Sequence, residues 1–252
     1  MIDTHCHIYK EYYNDIESII KNMENNIIIV SGTNNDNNKE VLELCKKYKN
    51  VYGTLGIHPE EIDNISDDSF EFIKEHINDD KIVAIGEIGL DYYYQNENKE
   101  KQKEIFTKQL ELAKRYRKPV VIHTRDAMSD TIEIIKNYKE LKKDIHCYSG
   151  SVESAIELIK LNCRLGIGGV LTFKNSKKLQ DVVENIDIKY LLLETDSPYL
   201  SPEPLRGKTN EPHNIIYVAK KISEIKCIKL EDVLSITTSN AISQFDLDKY
   251  LC

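Results

Sequence analysis

The 252-residue chain has no tryptophan, only three methionines and six prolines, and no apolar run near the roughly 18 residues of a membrane span. That last absence excludes a helical membrane protein. Its start, Met1-Ile2-Asp3-Thr4-His5, lacks the basic leader and apolar stretch of a secretory signal, so a cytoplasmic location is expected. The six cysteines (Cys6, Cys45, Cys147, Cys163, Cys227 and Cys252) include no Cys-x-x-Cys pair, a pattern of reduced thiols rather than a disulfide framework. Glycine is sparse as well. Gly166, Gly168 and Gly169 lack the spaced third glycine of a dinucleotide-binding turn and do not open a helix. Basic residues are outnumbered, 34 against 42 acidic, for a net charge of −8. That balance argues against polyanion binding over the whole surface, so a nucleic-acid substrate would need a local cationic site such as metal ions.

What is present is core-forming: 40% hydrophobic and 30% charged residues, enough for a packed interior and incompatible with wholesale disorder. Eight short apolar runs recur along the chain: Met1–His7, Asn26–Thr33, Val51–His58, Lys81–Leu90, Pro119–Thr124, Asp144–Ser149, Cys163–Leu171 and Tyr190–Asp196. They have the length and Ile/Val/Leu content of strands buried on both faces. Amphipathic stretches with helical spacing separate or follow them, among them Glu100–Arg117, Ala127–Tyr138, Ser151–Leu161, His213–Ile225 and Leu230–Phe245. Eightfold strand–helix alternation over this length predicts an α/β fold, a single (β/α)8 TIM barrel in one domain over 1–252. An open doubly wound sheet is the alternative, but it needs no eighth strand.

Active residues of such barrels sit at the C-terminal ends of the strands. The histidines follow that rule: His5 and His7 end the first run, His58 the third and His123 the fifth, while His146 lies in the sixth. Glu87 interrupts an apolar run, and Asp196 ends Leu191-Leu192-Leu193-Glu194-Thr195-Asp196. Strand alternation predicts that His5 and His7 share a face with Asp3, and pairs Glu194 with Asp196 and His123 with Arg125. A lone strand-end histidine is usually a satisfied core residue. A carboxylate in a buried strand, however, needs a cation or a proton. Four imidazoles (His5, His7, His123, His146) and two carboxylates (Glu87, Asp196) at one barrel mouth suit one or two divalent ions.

The segments Ile2-Asp3-Thr4-His5-Cys6-His7, Gly56-Ile57-His58-Pro59 and Ala84-Ile85-Gly86-Glu87-Ile88-Gly89-Leu90-Asp91-Tyr92-Tyr93 begin an ordered series. It continues with Pro119-Val120-Val121-Ile122-His123-Thr124-Arg125-Asp126-Ala127, His146-Cys147-Tyr148-Ser149-Gly150-Ser151 and Gly166-Ile167-Gly168-Gly169. Leu193-Glu194-Thr195-Asp196-Ser197-Pro198-Tyr199-Leu200 and Pro204-Leu205-Arg206-Gly207-Lys208 complete it. In this series the chain resembles the TatD-type metal-dependent deoxyribonucleases, a branch of the amidohydrolase-like barrels. It departs from the family pattern at Glu60, where a second histidine is common, and at Tyr148, commonly phenylalanine.

The resemblance implies the same six ligands and a phosphodiesterase acting on DNA, with RNA as a further substrate, 3′-to-5′ from single-stranded ends. The metals would be Mg, Mn or Zn. Glu87 is assigned as the bridge, His5, His7 and Asp196 to one ion and His123 and His146 to the other. A two-ion clamp would generate the nucleophile and stabilise the leaving oxygen, with Asp196 as general base and Glu194 and His58 orienting water or leaving group. Arginine is rare, five against a lysine-rich background, yet Arg125 and Arg206 fall on loops of the active face, where a guanidinium fork matches phosphate. Lys208 joins them, and Tyr148, Tyr92 and Tyr93 are candidate stacking faces. Hydrolysis of an amide or ester, such as a cyclic amide or an aminoacyl-tRNA ester, is the competing enzymatic reading, and a non-catalytic binding protein is the third.

Overall fold

In the computed structural model, which describes residues 1–93 and 96–250, eight parallel strands form one sheet in sequential order. They are β1 (Ile2–Cys6), β2 (Ile27–Ser31), β3 (Val51–Leu55), β4 (Ile82–Asp91), β5 (Val120–Arg125), β6 (Lys143–Ile145), β7 (Cys163–Ile167) and β8 (Leu191–Leu193). The helices between them are α1 (Ile16–Lys21), α2 (Asn35–Lys47), α3 (Asp67–His76), α4 (Lys99–Tyr116), α5 (Met128–Ile135), α6 (Val152–Lys160) and α7 (Lys177–Asn185). After β8 come α8 (Ile215–Lys226) and α9 (Leu230–Phe245). This is the TIM barrel expected from the runs. Its β8–β1 seam is drawn together by the Thr4 hydroxyl donating to Leu193 O at 3.0 Å. Beyond the strands, Asp196 N–H donates to His5 O at 3.0 Å and His7 N–H to Ser197 O at 2.6 Å.

Strand sequences are near-continuous Ile, Val and Leu because helices cover one face and the barrel interior the other; all ten β4 residues are buried. Each such side chain removed from water contributes about 1.5–3 kcal/mol. At the N-terminal end of the barrel, Ile2, Ile29, Tyr52, Val83, Val121 and Leu192 pack against Ala241, Phe245 and Leu247, so the chain's last helix and the turn after it plug the floor. Alternation then sets what lies above that floor. Two residues beyond Val121 is His123, and two beyond Leu192 is Glu194, both carried on the inward face. Apolar residues close the floor and polar ones line the mouth.

Local signals place the helices. Asn34 caps α2 by accepting the Asp36 and Asn37 N–H groups, and Ser151 caps α6 in a reciprocal pair with Ser154. Helix α4 ends at Arg117 and α8 at Cys227, both left-handed at φ 54° and 53°. Six of the eight strands stop before the ends of their apolar runs, and at two of them a left-handed residue follows. Beyond β6 and β8 the chain turns through Cys147 (φ 48°) and Asp196 (φ 55°), which takes the ends of the expected Asp144–Ser149 and Tyr190–Asp196 runs out of the sheet. The helix expected over Ala127–Tyr138 is shorter, Met128–Ile135, whereas Leu230–Phe245 agrees at both ends. All five described cysteines are free thiols; Cys252 lies outside the described residues. No helix among the described residues is long and apolar enough to cross a membrane.

Candidate metal centre

The two carboxylate oxygens of Glu87, on the inward face of β4, meet two different sets of imidazoles. Oε2 lies 3.3 Å from His5 Nε2 and 3.5 Å from His7 Nε2. Oε1 lies 2.9 Å from His123 Nδ1, 3.0 Å from His146 Nε2 and 3.4 Å from His58 Nε2. Asp196 completes the first set, its Oδ1 standing 3.7 Å from His5 Nε2 and 3.6 Å from His7 Nε2. The left-handed turn at Asp196 is what points it there, rather than strand alternation with Glu194. Donor atoms of His5, His7 and Glu87, of His5, His146 and Asp196, and of His58, Glu87 and His123 fall within 4.8 Å of one another. All six residues expected as ligands thus meet at the mouth, with His58 beside them.

Groups behind the rings fix which nitrogen faces inward. Ser31, at the end of β2, meets His5 Nδ1 with its hydroxyl at 3.0 Å, while its carbonyl accepts from His7 Nδ1 at 3.2 Å and from the Tyr9 hydroxyl. His123 Nε2 donates to the buried Asp91 carboxylate at 2.9 Å. His7 Nε2 and His123 Nδ1 are therefore left as lone pairs aimed at Glu87. Orientation of ligating rings by such outer partners is a recurrent feature of metal sites. His58 differs. Its Nδ1 accepts the Glu60 N–H at 3.2 Å, so in the neutral ring the proton sits on Nε2 and points at Glu87. Glu194 stands behind His146, with Oε1 3.6 Å from its Nδ1, and accepts the Cys147 N–H at 2.6 Å.

Lone pairs and carboxylate oxygens pressed together repel unless a proton or a cation lies between them. His5 and His7 Nε2 are 3.1 Å apart, and His123 Nδ1 and His146 Nε2 are 3.3 Å apart. Burial alone would raise Glu87, but His146, His58 and His5 hold its carboxyl well below the ordinary range. Asp196 is lowered likewise, burial being outweighed by the His7 hydrogen bond and the nearby imidazoles. Burial opposes charge on His146, yet Glu87 and Glu194 push it well above the usual imidazole value. His5 goes the other way, lowered by burial and by His146. Ionised carboxylates facing convergent imidazole nitrogens are the donor chemistry of a divalent cation site, and the residues present fit one.

The expected substrate residues fare unevenly. Arg206 and Lys208 stand exposed on the long loop after β8, with the Arg206 guanidinium 4.4 Å from the Phe173 ring centre. Arg125, at the end of β5, lies over the Tyr93 ring at 4.0 Å. Tyr148 corrects the expectation. Its ring is only 2% exposed, and its hydroxyl meets Ser151 O and Ser154 Oγ, the pair that caps α6, so it offers no face to a base. Sequence reasoning passed over Ser31, Tyr9, Asp91 and Asp144. Asp91 lies four residues beyond Glu87 on the same strand, and Asp144 two before His146, so alternation could have found both. Both Asp144 oxygens are buried without a hydrogen-bond partner among the described residues, and burial followed by the Glu194 charge pushes its carboxyl well up.

A family model described as TatD related DNase matches residues 2–246. YabD of Bacillus subtilis strain 168, named an uncharacterized metal-dependent hydrolase, is 39% identical over 254 residues, spanning 98% of this chain and 100% of its own. The solved structure of YJJV, a TatD homologue from Escherichia coli K12, superposes with a TM-score of 0.92 at 30% identity over 98% of each chain. A TatD family hydrolase from Entamoeba histolytica gives 0.86 at 26% identity over 97% of each. With the match running from β1 through α9 and the same barrel in these proteins, the chain belongs to the family of TatD related DNases.

Proposed function

We propose that this chain, a TatD-family metal-dependent hydrolase, cuts the phosphodiesters of single-stranded DNA ends, working 3′-to-5′, with RNA as a further substrate. One observation carries the reading: the two Glu87 oxygens face separate sets of imidazole nitrogens, His5 and His7 with Asp196 beside them on one side and His123 and His146 on the other. Divalent ions (Mg, Mn or Zn) would be held there by Glu87 together with His5, His7 and Asp196 on one side and His123 and His146 on the other. Bound there, such ions supply Lewis acidity that lowers the pKa of water and offsets charge on phosphoryl oxygens.

The residues do the rest. Asp196, ionised and with a side chain 13% exposed at the mouth, accepts the proton of the attacking water. His58 directs its Nε2–H into the site, where it hydrogen-bonds the leaving oxygen or steadies Glu87. Glu194, 3.6 Å behind His146 Nδ1, sets a carboxylate against that side of the ring while Nε2 faces Glu87. Arg206, Lys208 and Arg125 contact the backbone phosphates beyond the scissile one.

The test pits end-labelled single-stranded DNA, the matching RNA and an aminoacyl ester against one another, after chelation and after add-back of Mg, Mn or Zn. Metal-dependent shortening of the DNA from its 3′ end is expected. Turnover of the ester alone would replace the nuclease with an acyl hydrolase, and inertness on every substrate would leave a binding protein.

A further inference from the structure

Large hydrophobic side chains that stand exposed among the described residues are few, and three of them form one patch. Tyr12 is 38% exposed, Tyr199 48% and its neighbour Leu200 36%. The Tyr12 and Tyr199 hydroxyls are hydrogen-bonded at 2.9 Å, and their rings lie 5.8 Å apart at 69°. The patch adjoins the metal centre: the Tyr199 ring is 6.2 Å from that of His7, and Tyr12 reaches His7 through Tyr9 by ring separations of 5.9 and 5.7 Å. It is also pinned. Asn210 donates to Thr195 O at 3.0 Å and to Tyr199 O at 2.8 Å, while Tyr12 N–H donates to Tyr9 O at 3.0 Å.

Charge around the patch narrows what it can take. After burial and the Tyr12 hydrogen bond, the groups acting on Tyr199 are the carboxylates of Asp196, Glu11 and Glu60. Nearby carboxylates disfavour phosphate on these rings, and exposed aromatic faces suit a flat, uncharged group. At 6.2 Å from a candidate ligand ring the patch meets the base of the nucleotide being released, not a distant one. The other tyrosines near the mouth are less suited: Tyr92 is half-buried with Lys99 Nζ 4.5 Å from its ring centre, and the face of Tyr93 carries Arg125.

We propose that Tyr12 and Tyr199 form a nucleobase platform, on which the unpaired base attached to the attacked phosphodiester stacks. The proposal rests on the nuclease reading and gives it a physical basis for requiring single-stranded ends, because a paired base has no free face to offer. Stacking of this kind tolerates any base.

Two measurements test it. In the first, turnover of a single-stranded oligonucleotide is compared with that of the same strand carrying an abasic residue at the terminal position. Removing the base raises the wild-type KM by about 5- to 100-fold, and Tyr199→Ala raises KM on the intact strand by a similar factor while barely changing it on the abasic one. Tyr199→Phe, which keeps the ring, stays near wild type. Ala variants that weaken both substrates equally would overturn the platform. In the second, chelated protein is mixed with an oligonucleotide bearing terminal 2-aminopurine. Quenching by wild type but not by Tyr12→Ala/Tyr199→Ala supports stacking even if no strand is ever cut, which separates this proposal from the nuclease reading. Cleavage without quenching or abasic discrimination would sink the platform and leave the nuclease standing.

Discussion

Glu87→Gln keeps the shape of the side chain and removes its charge, and the geometry says how much should follow. The carboxylate faces five imidazole nitrogens within 3.5 Å and is buried, so no water replaces it. Removing one partner of a buried charged network costs about 3–5 kcal/mol, or roughly 10²- to 10⁴-fold in cation affinity. At a metal concentration about 100 times the wild-type Kd, binding adds about 2.7 kcal/mol to stability. For a chain of this size that raises Tm by about 5–11 °C. A variant whose Kd is at least about 100-fold higher gains no more than about 0.4 kcal/mol under the same conditions, below about 2 °C. Melting curves of both proteins, chelated and with Mn or Zn added back, read the difference directly, and metal analysis of the dialysed proteins gives stoichiometry. Should Glu87→Gln keep the full metal-induced rise in Tm, the carboxylate does not hold the cation and the bridging assignment fails.

Three further outcomes follow from the same geometry. His146 is raised well above the ordinary imidazole value, burial being overcome by the Glu87 charge, and His7 and His123 are raised against burial by carboxylate partners. Raised groups lend the metal-free fold stability that is complete below an unfolded pKa of about 6.5 and fades as pH climbs through their folded values. Cation affinity runs the opposite way, so calorimetry in two buffers should show tighter binding at about pH 8 than at about pH 6, with proton release; equal affinity without released protons would contradict this. Arg206→Ala should weaken single-strand binding and flatten its log-salt slope by about 0.7, and an unchanged slope would count against the phosphate contact. At Gly89, φ is 141° and an added Cβ would lie 2.0 Å from His123 O, so Gly89→Ala should cost about 2–5 kcal/mol; a wild-type urea midpoint would show that the strand end yields.

The barrel was readable because strands buried on both faces and helices buried on one leave different periodicities, and that difference survives without any tertiary information. The convergence of the six candidate ligands was readable for a related reason: a histidine or carboxylate within or at the end of a buried apolar run has few places to go except the mouth. Ser31 carries no such signal, since serines close many strands, and only the fold shows it holding His5 and His7 together. Nor could sequence show which ring nitrogen faces inward, because His123 is turned by Asp91 and His58 by a backbone N–H two residues along. Tyr148 was misread for a local reason. The serine pair that starts α6 also claims its hydroxyl, folding the ring inward. The tyrosines that do stand open, Tyr12 and Tyr199, lie 187 residues apart in sequence, and no spacing argument could join them.

The division of charge inside the mouth bears on how an acidic protein handles a polyanion. Asp3 and Asp144, below the imidazoles, are both pushed well up by burial, against the hydrogen bonds Asp3 accepts from Thr195. Glu87 and Asp196, facing the imidazoles, are held low and stay ionised. Burial thus disfavours negative charge beneath the imidazoles, while the imidazoles favour it on the carboxylates that face them. A cation held there by Glu87, Asp196 and the imidazoles would supply positive charge at the mouth. On the proposed nuclease reading, the net charge of −8 would work against non-specific adhesion of a nucleic acid to the rest of the surface, while the candidate cation cluster at the mouth would attract phosphate once loaded. On this argument the acidic surface and the metal centre are complementary, each limiting where a strand can be held.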